Sequence, residues 1–158
     1  MGGLRVSLSV PPDWTAVEPI RHALALYAHA VLKNVREAET IAMVAAELLE
    51  NAVKHSDPDA RDIGITIVRD DEGLTIDVTN TVADAGVAAL RDRLDWLASR
   101  GDPQKAWTEV LLGFGDSAAA DEHGGLGLAR IACEGGCRLS VRTPEPGRLT
   151  VRAERPGL

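Results

Sequence analysis

Aromatic side chains are scarce in this chain: Trp, Tyr and Phe together make up 3% of its 158 residues. A core short of rings has to be filled by Leu, Val, Ile and Ala, which suits helices packed on a sheet. Cysteine is sparse as well. Cys133 and Cys137 are too few for a disulfide framework or a four-cysteine zinc site, and they read as small buried hydrophobes rather than metal or redox groups. No run of about 18 apolar residues occurs, and the opening Met1-Gly2-Gly3-Leu4-Arg5 has no long apolar stretch. Neither a membrane span nor a signal peptide is therefore expected, and the expected location is the cytoplasm. Dense basic clusters are missing too. At a net charge of −7 the electrostatic attraction that drives nucleic-acid binding is lacking, so nucleic acid is not an expected partner.

What remains is an ordinary globular composition, 45% hydrophobic and 26% charged, at a length that fits one domain over residues 1–158. Leu4, Val6, Leu8 and Val10 alternate with polar or small residues as in a strand with one buried face, and Pro11-Pro12 ends it. Thr15 and Glu18 have capping-box spacing, which predicts a first helix to about Leu32 with Pro19 in its first turn. A second helix is predicted from about Glu37 to Lys54, its buried stripe formed by Ile41, Val44, Ala45, Leu48 and Ala52. Two alternating runs, Ile63 to Ile67 and Leu74 to Val78, flank Asp70-Asp71-Glu72-Gly73 as an antiparallel hairpin. Helical patterning returns from Ala85 to Gly115, divided at Gly101 before Asp102-Pro103, with Trp96 and Trp107 as expected anchors. Gly124-Gly125-Leu126-Gly127 then opens a short helix that stops at Gly135-Gly136, and two strands, Arg138–Thr143 and Arg148–Ala153, close the chain. Helices between antiparallel strand pairs predict an α+β two-layer sandwich, with helices on one face of a mostly antiparallel mixed sheet.

Two constellations carry chemistry. Glu47 and Asn51 are four apart on the second helix, so they share one face, and Lys54 extends that stripe by a turn. An Asn carbonyl oxygen can ligate Mg²⁺ beside a phosphate chain, and a nearby Glu can orient or deprotonate a nucleophile. An ordinary amphipathic helix with Glu and Asn on its polar side would carry the same pair. The second constellation is His123-Gly124-Gly125-Leu126-Gly127-Leu128, a glycine loop opening a helix, where backbone N–H groups and the helix dipole favour phosphate. It lacks the Lys-Ser/Thr ending of a Walker loop.

Taken together, Glu47-Leu48-Leu49-Glu50-Asn51-Ala52-Val53-Lys54-His55 resembles the N box of the histidine-kinase-like (GHKL) ATPases, and Gly125-Leu126-Gly127-Leu128-Ala129 resembles their later glycine box. The resemblance runs from about Thr15 to Ala153. It is closest to the small serine-kinase and anti-sigma-factor branch, in a divergent subgroup similar to SiaB-like kinases. It implies a Bergerat-type fold binding ATP and Mg²⁺, with Asn51 as the Mg²⁺ ligand and Glu47 as the catalytic carboxylate. Gly125 and Gly127 would form the phosphate-cradling lid hinge, and Gly124, Leu126 and Leu128 would bind the nucleotide with them. Lys54 and His55 would lie near the phosphates, although a solvated helix end accounts for them equally well. Asn80 occupies the place of the family's adenine-binding Asp, and the tight Asp-X-Gly-X-Gly turn is replaced by Thr79-Asn80-Thr81-Val82-Ala83-Asp84-Ala85-Gly86. This departure implies weakened adenine selectivity. The implied activity is a serine/threonine protein kinase acting on a small antagonist protein in a partner-switching module. The alternative is a nucleotide-binding or degenerate module that sequesters a partner such as a sigma factor without catalysis. The sequence also leaves room for a homodimer.

Overall fold

The computed structural model describes residues 3–112 and 125–157. The chain begins with strand β1 (Leu4–Val10) and a 3-10 turn (Trp14–Ala16), followed by helices α1 (Val17–Leu32) and α2 (Val35–His55). A hairpin of β2 (Ile63–Asp70) and β3 (Gly73–Thr81) leads to α3 (Asp84–Arg100) and α4 (Pro103–Leu112). Helix α5 (Gly125–Cys133) and the hairpin β4 (Arg138–Arg142) and β5 (Arg148–Pro156) complete the described chain. One five-stranded sheet results, in the order β1-β2-β3-β5-β4, and each of its four ladders is antiparallel. The expected two-layer α+β sandwich is therefore present, with no parallel pair among the described residues.

Period-two patterning decides which sheet face is covered. In β3 the side chains of Leu74, Ile76, Val78 and Asn80 are buried, while those between them are half-exposed. Ile63, Ile65 and Ile67 of β2 point the same way, against the fully buried Ile41, Val44 and Leu48 of α2. The opposite face stays polar. There Asp77 accepts both a 2.8 Å bond from Arg152 Nε and another from Arg152 Nη2, and the Thr79 and Thr150 hydroxyls lie 2.7 Å apart.

The helix boundaries show which local signals won. Asn34 caps α2 by accepting from Glu37 N at 3.0 Å, so this helix starts earlier than its apolar stripe suggested. The Thr15/Glu18 capping box does not form. Asp13 instead caps the 3-10 turn by accepting from Thr15 N, and Glu18 is drawn to Arg21 at 2.7 Å. Trp96 and Trp107 are only half-buried, and Trp96 lies beneath the Arg100 guanidinium, 5.0 Å from the ring centre. Glu37 fastens the start of α2 to the sheet by accepting from Arg69 Nε (3.1 Å) and Arg155 Nη2. No helix among the described residues is long and apolar enough to cross a membrane.

Candidate functional site

Helix α2 crosses the covered face of the sheet, and its last three turns hold the sequence-derived residues. Asn51, His55 and Asn80 line one cavity between α2 and β3, together with Leu48, Gly86 and Val151. Its volume is about 10 Å³, at the lower limit of the room that one water needs. Asn51 Oδ1 is fully buried and has no hydrogen-bond partner among the described residues. Leaving an amide oxygen desolvated and unpaired costs about 1–3 kcal/mol, so this atom is primed for a donor or a cation.

Asn80 is 3% exposed, and its orientation is fixed by α2. Its Nδ2 donates to the Ala52 carbonyl (3.1 Å) and to Ser56 Oγ (3.3 Å), while Ser56 Oγ donates to the same carbonyl at 2.6 Å. Asp57 N adds a backbone bond to Thr81 O at 2.8 Å. The end of α2 is thereby clamped to the end of β3. A carboxylate at position 80 could not donate to Ala52, which gives the asparagine there a local structural reason.

One turn before Asn51, Glu47 meets α5. A Cβ added to Gly127 would lie 2.5 Å from Glu47 Oε2, so glycine leaves room for the Glu47 carboxylate against α5. Glu47 Oε1 accepts from Arg130 Nη1 at 3.0 Å, and Arg130 Nε donates to Glu134 Oε2 at 2.8 Å. The Glu134 bond, and secondarily the Glu47 bond, hold the Arg130 guanidinium above its ordinary pKa. The carboxylate expected to carry chemistry is thus oriented by an arginine that motif reading passed over. A signal was available: Arg130 follows Gly127 by three residues, on the same face of α5, and precedes Glu134, just past the end of that helix, by four.

Other predicted residues fall elsewhere. Gly125 opens α5, Leu126 is half-buried, and Leu128 is packed in the core at 1% exposure, leaving its backbone rather than its side chain for any ligand. Lys54 is exposed beyond the cavity. Gly124 lies outside the described residues. Glu50, absent from the predicted set, is half-buried, and burial followed by the charge of Glu47 pushes its carboxyl above the usual range.

No protein-family model matches the chain, and no curated protein sequence matches it. Among solved structures it is similar to a chain in the crystal structure of the SiaB-SiaC complex from Pseudomonas aeruginosa, with a TM-score of 0.72. The likeness covers 95% of this chain and 88% of that one at 23% sequence identity, and shows that the fold is shared.

Proposed function

We propose that this chain is an ATP-binding regulatory protein kinase of the GHKL type, which transfers a phosphoryl group to a Ser or Thr of a small partner protein. The observation that carries the reading is Asn51 Oδ1, a buried carbonyl oxygen without a partner among the described residues, one helical turn from Glu47. Such an oxygen suits Mg²⁺, which takes few protein ligands and completes its shell with phosphate oxygens and water. When bound, Mg²⁺ would neutralise phosphate charge. Glu47, held at Oε1 by Arg130, would receive the proton of the attacking hydroxyl, and the start of α5 would present backbone N–H groups to phosphate. The similar structure is a complex of two proteins by name, which supports a protein partner; an antagonist or sigma-factor type is our reading of which one.

The closed cavity favours a second reading. Adenine does not fit in about 10 Å³, and the Asn80 amide nitrogen is engaged with α2, so entry of a base into this cavity requires its walls, which include Gly86 and Leu90 of α3, to move apart. A module that sequesters its partner without turnover would need no such opening. Thermal-shift titration and radiolabel transfer separate the two. ATP with Mg²⁺ should raise the melting temperature by mass action, and Asn51→Ala should abolish that rise while remaining folded. Glu47→Gln should still bind ATP but lose label transfer to the product of a neighbouring gene. An ATP response that survives Asn51→Ala removes the metal role of that residue.

A further inference from the structure

Glu47 is not an ordinary surface carboxylate. Only 18% of its side chain is exposed, Oε1 is bonded by Arg130, and Oε2 lies beside Gly127. Glu50 follows it by three residues on α2, and like charges at that spacing repel. The two carboxyls do feel each other, since the charge of Glu47 pushes the Glu50 carboxyl up while that of Arg130 draws it down. Without an arginine on Oε1, Glu47 would be driven away from Glu50 and nothing would fix which way its carboxylate turns.

Arg130 is itself held from behind. Its Nε donates to Glu134 Oε2 at 2.8 Å and its backbone carbonyl accepts from Glu134 N, also at 2.8 Å, so side chain and main chain join the same two residues. The buried Gly135 comes next, where a Cβ would strike Val44 of α2, and its carbonyl accepts from Arg155 Nη1 at 3.2 Å. Arg155 also donates to Glu37 at the start of α2. The turn after α5 is therefore anchored to both layers of the fold. A guanidinium is a flat fork with fixed donor directions, so fastening its Nε aims its Nη1. Left untethered, an arginine side chain that is 42% exposed would spend its time in solvent instead of on Glu47.

We propose that Arg130 is a positioning residue for Glu47, steered by Glu134, which fixes Oε1 so that Oε2 is the oxygen offered to the attacking hydroxyl. The inference rests on the kinase reading of Glu47. Gly127 belongs to the same device, because it has no Cβ to cover Oε2. Arg130 neither gives nor takes a proton and stays charged throughout. Its contribution is orientation, and a displacement of about 1 Å at a reacting group is enough to cost a large factor in rate.

Two substitutions separate the parts. Arg130→Met keeps most of the length of the side chain and removes the fork, whereas Glu134→Gln removes only the charge behind it; both sites are more than 40% exposed, so the fold should survive. Arg130→Met should lower label transfer to the neighbouring-gene product about tenfold and Glu134→Gln about threefold, with the dissociation constant for ATP unchanged. The double variant should be no slower than Arg130→Met alone, because Glu134 acts only through Arg130. Losses that multiply to about thirtyfold would overturn the steering by Glu134. Carbon-13 NMR of the nucleotide-free protein reads the same geometry without catalysis. The Glu47 carboxyl signal, identified by its absence in Glu47→Gln, should move in Arg130→Met and in Glu134→Gln. A signal that stays in place in Arg130→Met overturns the positioning role. If that signal moves while the unmodified protein transfers no label, the kinase reading fails and Arg130 still stands as the residue that orients Glu47.

Discussion

Glu50 shows how one carboxyl links burial to pH. Burial favours its neutral acid, and the charge of Glu47 adds to the effect, so the folded protein keeps the Glu50 proton to a higher pH than the unfolded chain does. Between the ordinary carboxylate value and the raised one the folded state binds more protons, and stability therefore falls as pH rises through that window. Glu50→Gln removes this pH dependence. Its melting temperature should exceed that of the parent at pH 7, and the difference should fade below about pH 4, where both forms of Glu50 are protonated. An advantage that grows on acidification would contradict the sign. At this scale sequence reading was uneven. The shared face of Glu47 and Asn51 was legible because four-residue spacing on a helix dictates it. The bonds from Asn80 to Ala52 and Ser56, and from Arg130 to Glu47, were not, because each joins residues far apart in sequence through packing that no local pattern encodes.

Between elements, two glycines lie where α2 meets the segment built on α5, and they differ in what a methyl group would strike. At Gly127 a Cβ meets the end of the Glu47 side chain, which can swing aside, whereas at Gly135 it would lie 2.5 Å from the Ile131 carbonyl oxygen and 2.8 Å from Val44 Cγ2. Gly127→Ala should therefore change stability by less than about 1 kcal/mol, helped by the better helix propensity of alanine, while displacing the Glu47–Arg130 pair. Gly135→Ala should cost about 2–3 kcal/mol. Urea unfolding of the two variants checks the order, and equal losses would mean that Glu47 is as rigidly held as backbone. Helix positions were readable from apolar period and from Gly101 and Gly135-Gly136, whereas the Asn34 cap that starts α2 was passed over. The failed Thr15/Glu18 box shows the limit of that reading, since Asp13 and Arg21 competed for the same groups and won.

Across the whole molecule, the two-layer arrangement was legible because paired alternating runs separated by helical periods leave few ways to bury one sheet face. The strand order was not, since it depends on β5 inserting beside β3 rather than on anything local to either strand. That order has a kinetic consequence. β3 is bonded on both sides and lies beneath α2, so its amides open only with the global unfolding of the core and should be the slowest in the sheet to exchange with deuterium. The β4 amides, on a short edge, should exchange early. Those of β1, seven residues on the other rim, should exchange between the two, so that a deuteration time course read by mass spectrometry orders the strands by their place in the sheet.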